Sequence, residues 1–235
     1  VTSTAAQLSA DQPIVQLIET RSPLAQLLHA LNQPLTGLQC AMEVAVATPR
    51  TAEHYAKVLR EGLELTERMR ALVETIRELA DLNEEREKEK EKNEPPQTIE
   101  LGALLRETVD DLQPVAEAKN IRVTLNCLQA CSVRLNVTRR RMVSTVFRFL
   151  ESALSLAAPQ NGLFIEALNE ATEVWVRVRW QGERPAAAFS RPELGLMVSQ
   201  AVFERSGARW ERERSETFET IIVRLPIIPD SRTHS

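Results

Sequence analysis

The sequence predicts an α+β protein: a long antiparallel helical hairpin that dimerises into a four-helix bundle, followed by a sandwich of helices on a sheet. Three observations predict it. Apolar residues recur at three- and four-residue steps as far as Leu82. A charged run, NEEREKEKEKNE, then ends at Pro95–Pro96, which stops any helix. Beyond that point, segments of helical periodicity alternate with short segments that switch between apolar and polar residues.

In the first half, Leu24, Leu27, Leu28, Leu31, Leu35, Leu38, Met42 and Val46 mark one helix. TPRTAEH, residues 48–54, breaks it: Pro49 cannot continue a helix interior, and Thr51 is a fitting N-cap. Tyr55, Val58, Leu59, Gly62, Leu63, Thr66, Met69, Leu72, Val73, Ile76, Leu79 and Leu82 give the second helix a near-heptad stripe. Two such helices carry more apolar surface than a lone pair can hide, which argues for a second copy. The expected division is a tail over 1–13, the hairpin over 14–92, a linker over 93–98, the sandwich over 99–228 and a tail over 229–235.

In the second half, residues 99–120 read as a helix and IRVTLNCL, 121–128, as a strand. Residues 139–158 form an amphipathic helix. Residues 163–182 form a hairpin whose second strand, VWVRVRW, alternates strictly. PELGLMVSQAVFERSG, 192–207, is a helix ending on Gly207, a left-handed C-cap position. Residues 208–227 close the domain with another hairpin.

Bulk properties narrow the function. A net charge of −4 argues against a general nucleic-acid binder, and Arg139–Arg140–Arg141 is too short a basic run to reverse that. No apolar run approaches the roughly 20 residues that span a bilayer, and no signal peptide is evident. No membrane contact is expected of these residues, although a sensor or membrane segment could precede Val1. Three cysteines, Cys40, Cys127 and Cys131, are an odd set for a disulfide framework and fit a reducing, cytoplasmic setting. Nothing beside Cys127 and Cys131 completes a metal site, so no metal is expected.

HALNQPLTGL, residues 29–38, sets a reactive histidine against a plain helix-surface one, and periodicity alone favours the plain reading. An exposed histidine on a bundle face offers a nitrogen nucleophile near neutral pH. Pro34 frees a backbone carbonyl one turn back and can bend the helix below His29. The stretch resembles the phosphoacceptor box of two-component sensor histidine kinases, in the subgroup with the pattern H-E-x-N-Q-P-L. His29, Asn32, Gln33, Pro34 and Leu35 match, and Ala30 stands where the pattern has an acid. The resemblance covers roughly residues 15–227. It implies a dimerising histidine-phosphotransfer hairpin and a Bergerat-type ATP-binding domain of the histidine-kinase ATPase type. It also implies that Leu31, Pro34, Leu35 and Leu38 contribute to a dock for a response-regulator receiver domain, and that Gln33 can orient a water for receiver dephosphorylation.

The same resemblance fails where a nucleotide should bind. The two asparagines of the family's magnesium-holding helix fall on Arg148 and Ser152. The adenine-binding aspartate falls on Trp180, which has no acceptor, and of that turn's glycines only Gly182 remains. In the Gly-rich turn only Gly195 remains, with Arg191 and Glu193 at glycine positions, where side chains block backbone approach to phosphates. The eight residues between Gly182 and Arg191 are too few for a mobile lid. ATP and magnesium are therefore expected not to bind, and no cofactor is expected.

Ala30 fits that expectation, because the family's acid acts as the base during attack on ATP. Transfer between histidine and a receiver aspartate needs no such base. The expected function is a dimeric two-component protein that carries a phosphoryl group on His29 between receivers. Two alternatives stand beside it. One is a non-catalytic pseudo-kinase scaffold using an exposed face with Trp180 and Trp210. The other is an active sensor kinase with atypical nucleotide contacts.

Overall fold

The computed structural model describes residues 23–47, 51–92, 97–127, 132–135, 137–170, 172–182, 189–215 and 217–227. The predicted terminal tails, Pro49, Cys131 and the double proline at 95–96 lie outside them.

Two helices open the chain, α1 (Pro23–Ala47) and α2 (Ala52–Lys92). Along α1, positions 27, 31, 34, 38, 41 and 45 are buried or half-buried, a strict four-three alternation. Along α2 the matching set is 58, 62, 65, 69, 72, 76 and 79. These are the facing seams of an antiparallel pair with heptad spacing. Leu38 comes so near Gly62 that a Cβ there would sit 3.2 Å from its methyl. Thr51 caps α2, its hydroxyl accepting from the His54 N–H at 3.3 Å. The charged run continues α2 as helix to Lys92.

The rest is a sheet covered on one side. In chain order come β1 (Gln97–Glu100), α3 (Leu101–Ala118), β2 (Arg122–Cys127), β3 (Ser132–Leu135), α4 (Arg139–Leu156), β4 (Gly162–Asn169), β5 (Glu173–Gln181), α5 (Arg191–Arg205), β6 (Arg209–Arg214) and β7 (Phe218–Pro226). The main sheet has the order β2-β4-β5-β7-β6, with β2 parallel to β4 and the other pairs antiparallel.

The alternation of VWVRVRW decides what faces the helices. Val174, Val176, Val178 and Trp180 are buried, while Trp175, Arg177 and Arg179 point to the open face. Phe149, Leu150, Ala153 and Leu154 of α4 and Leu104, Leu105 and Leu112 of α3 complete the core. The C-terminus of α5 is a Schellman turn. Gly207 has φ +91°, the Ala208 N–H donates to Phe203 O at 3.0 Å, and the Gly207 N–H donates to Glu204 O at 3.1 Å.

Two strands differ from the sequence reading. β1 takes residues 97–100 out of the predicted linker and helix, and β3 was not foreseen. They pair only with each other, Gln97 opposite Leu135 and Glu100 opposite Ser132. Four polar-rich residues carry no period, and the partner lies more than thirty positions away.

Candidate functional site

His29 is exposed on α1, and Asn32 and Gln33 are exposed in the next turn. Pro34 lies inside the helix and cannot donate to the Ala30 carbonyl. The Thr36 hydroxyl donates to Asn32 O at 2.9 Å. His29 thus stands on a solvent-facing surface, held by residues that turn inward on either side. Leu27 is fully buried and Ala30 is 1% exposed.

That burial gives Ala30 a second physical reason. Its methyl belongs to a cluster with Leu27, Leu72, Leu79, Leu82, Leu194, Val198 and Val202, which unites both hairpin helices with α5. A carboxylate at this position would be desolvated with nothing in that apolar set to pair with it.

The residues expected at a receiver dock lie on two sides of α1. Leu31 and Leu38 are half-buried and Pro34 is buried, so these three serve the hairpin seam. Leu35 is open, but it belongs to a different stripe. Leu28, Leu35 and Met42 recur every seven residues on α1, and Leu59 and Leu63 stand on α2; each is more than half exposed.

The positions read as a degenerate nucleotide site do come together. α4, α5 and α2 surround a cavity of about 280 Å³, lined by Arg148, Ser152, Arg191 and Gly195 with Glu74, Glu78 and Glu151 among others. Arg148 reaches across to α2 and ion-pairs Glu78 through both terminal guanidinium nitrogens. Ser152 lies against Gly195, where a Cβ would be 2.2 Å from its hydroxyl oxygen. With Arg148 and Glu78 paired to each other, Glu74 and Glu151 against Arg191 leave the wall with a small negative excess, which disfavours a polyphosphate.

Trp180 and Glu193 are not part of that wall. Trp180 is 1% exposed and belongs to the sheet–helix core. Glu193 turns to β6, where it accepts from Arg212 at 2.8 and 3.0 Å and from Arg214 at 3.2 Å. Glu219 joins both arginines. Burial disfavours the charge of Arg212, but the hydrogen bonds and charges of Glu193 and Glu219 outweigh it and raise its pKa above the ordinary value. The expectation that Glu193 obstructs a phosphate turn is therefore corrected, since it ties the start of α5 to the sheet.

The two glycines that survive from the family's motifs have packing reasons of their own. A Cβ on Gly182 would lie 2.3 Å from the Leu156 carbonyl oxygen, and Gly195 sits on Ser152 as described. Residues 183–188, most of the expected short lid, lie outside the described residues.

The suggested partner surface with Trp180 and Trp210 is also corrected. Trp210 packs on the helix side, 5.2 Å from the Phe149 ring and 6.0 Å from that of Phe203. The tryptophan of the open face is Trp175, with Arg177 at 5.0 Å and Arg224 at 5.8 Å over its ring. Among the described residues no cluster of His, Cys, Asp and Glu is arranged for a metal, and no helix is long and apolar enough to cross a membrane.

Comparison with known proteins follows this division. Residues 21–85 match the His Kinase A (phospho-acceptor) domain. Sensor protein IrlS of Burkholderia pseudomallei (strain K96243) is 26% identical over 115 residues. Those residues are 49% of this chain and 23% of the relative, so the chain spans under a quarter of that protein's length. Among solved structures, histidine kinase ThkA in complex with response regulator protein TrrA is similar at TM-score 0.54 and 17% identity. That similarity covers 88% of this chain and 62% of the other. Acinetobacter baumannii histidine kinase AdeS is similar at TM-score 0.52 and 14% identity, covering 86% of this chain and 98% of the other. At those identities the solved structures speak for the fold. The hairpin bearing His29 thus matches a phospho-acceptor domain, and the fold of the described chain is similar to that of these two histidine kinases.

Proposed function

We propose that this protein is a homodimeric two-component signalling protein that accepts a phosphoryl group on His29 from one response-regulator receiver domain and passes it to another, without binding ATP. The observation that carries the reading is a contrast within one chain. His29 is open to solvent, while Arg148, Ser152 and Trp180, at the family's nucleotide positions, are engaged in ion pairing or packing. The indole at position 180 offers no acceptor for an adenine amino group, and positions 148 and 152 offer no side-chain amide for a metal.

Transfer from a receiver suits what α1 offers. The imidazole attacks the acyl phosphate, the phosphorus–oxygen bond to the aspartate breaks, and the carboxylate leaves; the return step reverses this. The metal and acidic pocket for that exchange belong to the receiver. Gln33, one turn from His29, is placed to orient a water, and without an acid at position 30 hydrolysis is the lesser activity. The apolar stripe of Leu28, Leu35, Met42, Leu59 and Leu63 supports the homodimer. The ThkA–TrrA structure supports a receiver partner by analogy of fold. A cytoplasmic location follows from that partner.

The test offers ATP-magnesium and, separately, phosphorylated receivers to the wild-type chain and to His29→Ala. Label from a receiver, lost in His29→Ala and never obtained from ATP, is the expected result. Label from ATP would overturn the proposal, and so would no label from any of a broad panel of receivers.

A further inference from the structure

The face of the second domain that should hold a nucleotide is instead turned onto α2. Arg148 pairs with Glu78 through both terminal nitrogens, and Arg205 donates to the Leu82 carbonyl one turn further along α2. Between these contacts, Leu194, Val198 and Val202 of α5 join Leu72, Leu79 and Leu82 of α2 in one buried cluster. Arg141 faces Asp81 and Glu78 across a second small cavity of about 210 Å³. The same cluster holds Leu27 and Ala30, which flank His29.

We infer that the former nucleotide face is a standing intramolecular clamp, with Arg148–Glu78 as its ionic catch, that fixes the second domain on α2 and stiffens the helix presenting His29. In an ATP-using relative this face must be free to receive its ligand. Here an arginine occupies the metal-asparagine position and spends its charge on the protein's own hairpin. The catch and the apolar cluster act together, because α5 lies on α4 through Gly195 and Ser152. Opening one interface therefore strains the other. The inference rests on the proposed absence of nucleotide, but its test does not use nucleotide or receiver.

The experiment is backbone hydrogen exchange on the full chain, in Glu78→Gln, Arg148→Gln and the double variant. Glu78→Gln keeps the shape of the side chain and removes its charge, while Arg148→Gln shortens the side chain and removes the guanidinium. Each single variant is expected to speed exchange of α2 amides over 74–82 and of α1 amides around His29 about fivefold, as for a part-exposed bidentate pair. The double variant should exchange no faster than the quicker single variant, because one interaction is lost in all three. Unchanged exchange in the singles, additive effects in the double, or a change on α2 that leaves α1 untouched would overturn the clamp. Phosphotransfer assays on the wild type judge the proposed function independently of these outcomes.

Discussion

Restoring the family's acid beside the histidine should damage the hairpin rather than revive a kinase. Ala30 is 1% exposed in a cluster made of leucine and valine. In Ala30→Glu the carboxyl must either stay ionised in that cluster or take up a proton. Protonation sets the smaller cost. Raising its pKa from about 4.3 past 7 costs about 3.7 kcal/mol at pH 7. Crowding from four added heavy atoms contributes about 1–3 kcal/mol more. The sign follows from a carboxyl held neutral in the fold: the penalty is full at neutral pH and fades as pH falls to the unfolded value. At pH 5 the protonation part is about 1 kcal/mol. Urea unfolding followed by helical circular dichroism, at one protein concentration, reads this directly. The midpoint should drop by more than 1 M at pH 7, taking a slope of about 2–3 kcal/mol per M, and recover partly at pH 5. Ala25→Glu, exposed in the first turn of the same helix, is the control and should change stability by under about 0.5 kcal/mol. An Ala30→Glu midpoint equal to wild type at pH 7 would refute the reasoning, since it would mean that position 30 opens to solvent.

Other substitutions test other parts of the structure. Gly195→Ala should destabilise by about 1–3 kcal/mol through contact with Ser152, and Ser152→Ala in the same chain should recover much of it; thermal unfolding of the wild type, both single variants and the double decides. Trp180→Asp should abolish cooperative unfolding of the second domain, because losing the indole costs about 3–5 kcal/mol and the buried carboxylate several more; near-ultraviolet circular dichroism reports it. Leu35→Glu with Leu63→Glu should convert a dimer to monomers in sedimentation equilibrium, since two-fold symmetry counts each lost leucine of about 1.5–3 kcal/mol twice. Saturating ATP-magnesium should move the melting temperature by under about 1 °C, where a site filled at a hundred times its dissociation constant would add about 2.7 kcal/mol.

Much of the helical hairpin was legible because its information is local. Leu27, Leu31 and Leu38 of the period read along α1 lie in its seam while Leu28, Leu35, Met42 and Val46 of the same period are exposed, and Thr51 announces the start of α2. Strand β5 was legible for the same reason, since alternation alone puts Val174, Val176 and Val178 on one face. β1 and β3 were not legible, because four-residue strands become strands only by finding one another. Which side of α1 each dock residue takes was not legible, because motif neighbours share a segment of sequence but not a side of the helix. Leu31 and Leu38 turn to α2, while Leu35 and His29 stay open.

By itself, the sequence determined two amphipathic helices, an alternating sheet domain, the histidine motif and the departures from the resembled family's pattern at Arg148, Ser152, Trp180, Arg191 and Glu193. Those are properties of residue identity and short-range period. Only the tertiary structure decided what the replacements do. Arg148 catches Glu78, Glu193 ties α5 to Arg212 and Arg214, Gly182 and Gly195 admit close packing, and Ala30 fills a cluster shared with α5. Each of these depends on a partner distant in sequence. Pairing and burial energies belong to surfaces that meet only after folding.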